Sequence, residues 1–197
     1  MGQGILFKRV GITGSPGTGK KTLAKGLALY TGYRVININS LCISKGAVAG
    51  RDKYGIIANT KKLKNIVHEQ TKSDNFIIVG HLLPYITTSS IIQFIIILRC
   101  NPYILGERLK LRNYPEKKIL MNVGAEILGT SYFDTIKKFG KRKIHVIETS
   151  SKKPKETLNE ALVALSGKTG YDGSDIDWLG LVREKGDLRR FFPDSYY

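Results

Sequence analysis

Apolar and polar positions fall into alternating rhythms along the chain. Phe7–Thr13 mixes apolar side chains with Lys8 and Arg9 and then meets Gly14, the pattern of a short strand entering a glycine-rich turn. Over residues 20–30, Leu23, Leu27 and Tyr30 share one face with Ala24 and Ala28 beside them, which predicts an amphipathic helix closed by Gly32. Tyr33–Ile38 alternates as a second strand. Residues 40–59 hold Gly46, Gly50 and Gly55 and read as irregular, and 60–71 read as an exposed, Lys-rich helix. The apolar runs Phe76–Val79 and Gln93–Arg99 are the third and fourth strands. A helix follows from Pro102 to about Arg112, with Pro near its first turn. A longer one runs from Pro115 to about Lys138, interrupted at Gly124 and Gly129. Lys143–Glu148 is a fifth strand and Pro154–Leu165 the last regular helix.

Strands therefore alternate with helices. Runs such as Phe76–Val79 suit strands covered on both faces, so an α/β domain is expected, with a parallel five-stranded sheet and helices on both faces. That domain spans residues 1–167. Residues 168–197 read as a C-terminal tail that docks or stays mobile, with Ile176, Trp178, Leu179 and Leu181 as its apolar patch. No run approaches the ~18 apolar residues of a membrane span, and the N-terminus lacks a signal-peptide stretch.

Chemistry concentrates at residues 14–20, which read G-S-P-G-T-G-K between the first strand and the first helix. This is G-x-x-x-x-G-K in the context where it cradles phosphates. Gly14, Gly17 and Gly19 let the backbone curl so that successive N–H groups point inward, toward the positive end of the following helix. Lys20 supplies a point charge for the β- and γ-phosphates. The next position usually carries Ser or Thr, whose hydroxyl meets Mg²⁺. Here it is Lys21, which can offer its backbone N–H but cannot ligate a cation. Thr22 follows and could take part of that role, so Mg²⁺ contact is expected to be weak and mostly through water.

Charge then widens the picture. The chain has 197 residues and a formal charge of +16. The tail is near neutral, so the excess belongs to the body and implies an acidic partner, nucleic acid or bulk phosphate first. Residues 137–143 (KKFGKRK) interleave Phe139 with five cations, and 60–64 add three more. Such clusters can bind RNA backbone and stack a base, or simply form solvated helix ends. Cys42 and Cys100 make neither a disulfide framework nor a zinc site, which suits a reduced, cytoplasmic protein.

Longer stretches carry a resemblance. G-S-P-G-T-G-K-K-T-L at 14–23 resembles the phosphate loop of nucleoside monophosphate kinases. I-N-I-N at 36–39, V-G-H at 79–81, L-R-C-N-P at 98–102, E-R-L-K-L-R-N-Y at 107–114, E-K-K-I at 116–119, N-V-G-A-E-I at 122–127 and K-K-P at 152–154 extend it over about residues 8–166. In that order and spacing the chain resembles the CINAP-like adenylate kinases, also called adenylate kinase isoenzyme 6, of archaea and eukaryotes. The resemblance implies a P-loop NTPase fold of nucleoside monophosphate kinase type with a short lid. It implies ATP with Mg²⁺ as cofactors and AMP or another nucleotide as acceptor. It also implies ATPase activity and a role in late small-ribosomal-subunit maturation, beside a platform ribosomal protein and ribosomal RNA.

By the same resemblance, Gly17, Gly19, Lys20, Lys21 and Thr22 would bind ATP phosphates. Arg112 matches a lid arginine, Lys153 a position near the nucleotide base, and His81 the histidine of the family's D-x-H. Lys20, His81 and Arg112 would be the catalytic set. Residues 38–60 would bind the acceptor, with Asn37, Ser40 and Arg51 as candidates, and 111–121 would form the lid. Blander roles stand beside these. His81 could cap a strand end, Arg112 could pair with Glu107 or Glu116, and Asn37 and Ser40 could serve a turn and helix cap. The family's Asp falls at Val79, so a carboxylate that organises Mg²⁺ is missing. Two alternatives follow, a nucleotide-switched RNA or ribosomal-protein chaperone with little turnover, and a housekeeping nucleoside monophosphate kinase.

Overall fold

The computed structural model describes residues 4–193 except 54, 73, 74, 172 and 174. Strands β1 (Arg9–Gly14), β2 (Arg34–Asn37), β5 (Phe76–Val79), β6 (Phe94–Arg99) and β7 (Ile144–Glu148) form one parallel sheet in the order β2-β5-β1-β6-β7. The five strands expected from the pattern are these five. Between β2 and β5 lie helix α2 (Ile38–Ser44), the hairpin β3 (Val48–Asp52) and β4 (Gly55–Ala58), and helix α3 (Thr60–Gln70). The remaining helices of the body are α1 (Lys20–Thr31), α4 (Leu83–Ile86), α5 (Pro102–Lys110), α6 (Glu116–Ile127), α7 (Thr130–Phe139) and α8 (Pro154–Leu165). Two more, α9 (Trp178–Glu184) and α10 (Leu188–Phe191), lie in the tail.

Period-two alternation explains why the sheet is covered twice. Ile77 and Val79 of β5, with Ile96 and Leu98 of β6, pack against Leu23 and Leu27 of α1 and Ala161 and Leu165 of α8. Their neighbours Phe76, Ile78, Ile95 and Ile97 face the other way, onto Leu63, Val67, Leu83 and Tyr132. A third core joins Leu105 and Leu109 of α5 to Ile119 and Val123 of α6, with Val182 and Phe191 from the tail. The tail therefore docks, through Val182 and Phe191. Leu179 of the expected apolar patch is exposed and Trp178 is only partly covered.

Three expectations are corrected. The segment 40–59, expected to be irregular, holds most of α2 and the β3–β4 hairpin. Asn37 caps α2 by accepting from Ser40 N at 3.1 Å, and Ile38 and Cys42 bury one face. The hairpin strands pair only with each other and are mostly exposed, with only Val48 and Ala58 packed against the core, so they carry little apolar alternation to detect. The long helix from Pro115 is two helices. Gly129 takes φ +63°, a left-handed conformation that stops α6 and starts α7, whereas Gly124 sits inside α6 against Phe192. Phe139 lies in the core, so it is not an exposed stacking platform.

Candidate phosphate-binding active site

The loop between β1 and α1 sits at the carboxyl end of the sheet, beside the central strand where the order reverses, the place open α/β sheets put ligands. Gly17 holds φ +96°, and a Cβ there would stand 2.6 Å from Leu105 Cδ1, so both conformation and space require glycine. Thr18 Oγ1 donates to Ser15 O at 2.9 Å, and Lys20 Nζ donates to the same carbonyl at 2.7 Å. Helix α1 starts from Gly19 with no side-chain cap and no acid in its first turn. Its first amides are thus left for an external anion, and the helix dipole points the same way.

Beneath the loop lies a group that sequence reasoning missed. Ser15 Oγ donates to Glu126 Oε2 at 2.6 Å, and Arg99 Nε and Cys100 N donate to Glu126 Oε1 at 2.6 and 3.1 Å. Arg99 Nη2 also reaches the Glu126 carbonyl at 3.0 Å. The pair is almost fully buried, and it ties the loop to the end of β6 and to α6. In the sequence Glu126 shows only as a carboxylate on the same helix face as Val123 and Ile119, and Arg99 only as the charged end of an otherwise apolar strand, with nothing to join the two. An ion pair of this kind fixes geometry more than it adds stability, but losing one partner leaves an uncompensated charge.

Two cavities flank the loop. One, of about 370 Å³, is walled by Arg108, Leu111, Lys152, Pro154 and Thr157. The other, of about 290 Å³, is walled by Lys20, Lys21, Asn37, Asn39, His81 and Tyr114. Gly17, Gly19, Thr22 and Arg112 line both. Lys20, His81 and Arg112 are therefore brought together, as expected. Arg112 belongs to the turn after α5, where Asn113 adopts φ +56°. Glu107 pairs with Lys110 at 2.9 Å, and no carboxylate pairs with Arg112 among the described residues.

Electrostatics set the protonation states. Desolvation, with further repulsion from Arg112 and Lys21, outweighs attraction from Glu126 and brings Lys20 down to about 7. Desolvation and the Lys20 charge push His81 down to about 4, so its imidazole is neutral at pH 7 and keeps a lone pair.

Other expected residues are placed differently. Lys153 is exposed as the N-cap of α8, with its N–H donating to Glu156 at 2.6 Å, and its neighbour Lys152 is the lysine in the cavity wall. Ser40 and Arg51 are exposed outside both cavities, whereas Asn37 combines its capping bond with a place in the wall. Residues 111–115 form a turn, and from Glu116 the expected lid is helix α6, with Ile119 buried. Arg108 is fixed by its bonds to the Thr149 and Ser150 carbonyls at 2.7 and 3.1 Å. The donor set offers a divalent cation little beyond the Thr22 hydroxyl, which lines both cavities: Val79 at the end of β5 is apolar and buried, Lys21 stands where a hydroxyl is usual, and Glu126 is engaged below the loop. Among the described residues no cluster of three or more His, Cys, Asp or Glu could hold a metal, and no helix is long and apolar enough to cross a membrane.

The family described as an AAA domain matches residues 10–129, more than half of the chain. The chain belongs to this AAA-domain family. Archaeal relatives narrow the branch. A protein named "Putative adenylate kinase" from Methanocaldococcus jannaschii is 31% identical over 173 residues, covering 86% of this chain and 92% of its own. One of the same name from Thermococcus onnurineus is 29% identical over 169 residues, covering 86% and 90%. This AAA-domain protein is thus adenylate-kinase-like. A solved shikimate kinase from Acinetobacter baumannii, in complex with shikimate, matches with TM-score 0.62 at 14% identity over 84% of this chain and 96% of its own. A gluconokinase from Sinorhizobium meliloti gives 0.58 at 14% identity over 81% and 92%. At that identity the likeness concerns the fold, an α/β phosphate-loop kinase.

Proposed function

We propose that the chain binds ATP at the loop and transfers its γ-phosphoryl group to a nucleoside monophosphate, ATP and AMP giving two ADP, with hydrolysis when water is the acceptor. The observation that carries this is the pair of cavities meeting at Gly17, Gly19, Thr22 and Arg112. One cavity suits a donor base and ribose, and the other an acceptor. The loop amides and Lys20 hold the phosphates, and the incoming negative charge restores the Lys20 proton. Arg112, at the junction, meets the charge that builds on the phosphoryl oxygens in flight. Neutral His81 orders the acceptor phosphate or water. Lys21 and Thr22 add their backbone N–H groups. The test follows ADP production from ATP alone and from ATP with AMP. Lys20→Ala is expected to abolish nucleotide binding. Unchanged ATP affinity in that variant would sink this reading.

The proposal extends to late small-ribosomal-subunit maturation, with ribosomal RNA and a platform ribosomal protein as partners. Its support is the basic surface. The two Lys-rich clusters stand close enough that, after burial, the Lys64 charge is what pulls Lys138 below its ordinary value. A polyanion would relieve that repulsion. Absence of affinity for either partner at moderate salt would remove this extension and leave a housekeeping kinase. A second reading, a nucleotide-switched chaperone, is favoured by Val79 and Lys21. Tight ATP binding with negligible turnover, with and without the partner, would select it.

A further inference from the structure

A phosphate loop ordinarily divides its work between amides, one lysine and a hydroxyl-bound divalent cation. This chain keeps the first two and changes the third. Lys21 stands where the hydroxyl belongs, and it lines the same cavity as Lys20 and Arg112. Its side chain is exposed there, and no ion pair engages it among the described residues. The facing wall at the end of β5 is Val79, buried and apolar. Helix α1 carries no acid in its first turn. Glu126, the carboxylate nearest in effect, has both oxygens taken by Ser15, Arg99 and the Cys100 N–H.

Lys21 and Arg112, joined by Lys20 once phosphate restores its proton, with no available carboxylate among the described residues of the lining, make a cavity that disfavours a divalent ion and attracts bare polyphosphate. We propose that the Lys21 ammonium takes the charge-neutralising place of the divalent cation at the loop, so that the chain binds metal-free nucleotide polyphosphate at least as well as its Mg²⁺ complex. The inference rests on the phosphate-loop reading above. Lys21 sits exposed in the first turn of α1 on the wall of this cavity, where its ammonium would meet the phosphates that a bound metal would otherwise screen. Adding Mg²⁺ places a second positive charge beside Lys21 and lowers the nucleotide's own charge, so both changes work against binding.

Calorimetric titration of ATP and ADP in EDTA and in excess Mg²⁺ tests this on the full chain. Wild type is expected to bind ATP in EDTA as tightly as in Mg²⁺, or more tightly. Lys21→Thr is expected to lose about tenfold or more in EDTA and to regain part of it with Mg²⁺. Lys21→Arg keeps the charge and is expected to lose only about threefold or less. Wild-type affinity that rises about tenfold with Mg²⁺, or Lys21→Thr with unaltered affinity in EDTA, would overturn the proposal. Lys20→Ala separates this from failure of the underlying reading. If it binds ATP like wild type, or if wild type binds no nucleotide in either buffer, the loop itself is misread and both fall. Circular dichroism of each variant keeps misfolding apart from lost contacts.

Discussion

Single residues decide the charge state of the site. His81 is held near 4 by burial and by Lys20, below the ordinary 6.5. Between those values the unfolded chain binds the proton and the folded one does not, so stability is present above about 6.5 and is lost as pH falls toward 4. Thermal midpoints measured across that window are expected to fall on acidification, and His81→Gln is expected to flatten the slope. Lys20 was legible because loop spacing is a local signal, whereas His81 and Arg112 were expected only from the family resemblance; all three line one cavity. Lys152 was not singled out, since the order K-K-P does not say which lysine caps α8 and which lines the cavity. Glu126 was illegible for a different reason. Its partners Ser15 and Arg99 are distant in sequence, and a carboxylate on an apolar helix face shows its role only once β6 and the loop are packed against it.

At the scale of elements, the turn between α5 and α6 aims Arg112 and Tyr114 at the loop. Asn113 pays for that turn with φ +56°, a conformation that Asn tolerates and branched or bulky residues do not. Asn113→Gly is expected to keep stability, whereas Asn113→Val is expected to lose about 1–2 kcal/mol. It should also raise the apparent KM for ATP as Arg112 loses its aim. Urea unfolding and steady-state rates check the two halves separately. The inner strands β5 and β6 were legible because burial on both faces leaves uninterrupted apolar runs, and the edge strand β2 because its residues alternate. The β3–β4 hairpin was not, because Ile56 and Ile57 are exposed and Val48 and Gly50 straddle a register irregularity. The division at Gly129 was legible as an interruption, yet only its left-handed φ distinguishes it from Gly124, which continues a helix.

Over the whole molecule, the tail completes the third core. Phe191 stacks edge-on with Tyr103 at 5.3 Å between centroids and shares a cluster with Leu105 and Leu109. Phe191→Ala is expected to destabilise the chain by about 3–5 kcal/mol, read by chemical denaturation of purified protein. The apolar patch expected in the tail docks in part, since Ile176 packs against the body core, while Val182 and Phe191 join α5 and α6 in a contact that only the contour of those helices could select.

Leu105 belongs to that third core and also presses its Cδ1 toward Gly17. One side chain thus shares a core with the terminal helices and also stands against the phosphate cradle. Thermodynamic reciprocity then applies: whatever free energy tail docking lends to nucleotide affinity, bound nucleotide must return to tail docking. A partner that pulled the last helices away would loosen the grip on nucleotide by the same factor. The tail helices are in this sense a handle on the phosphate cradle.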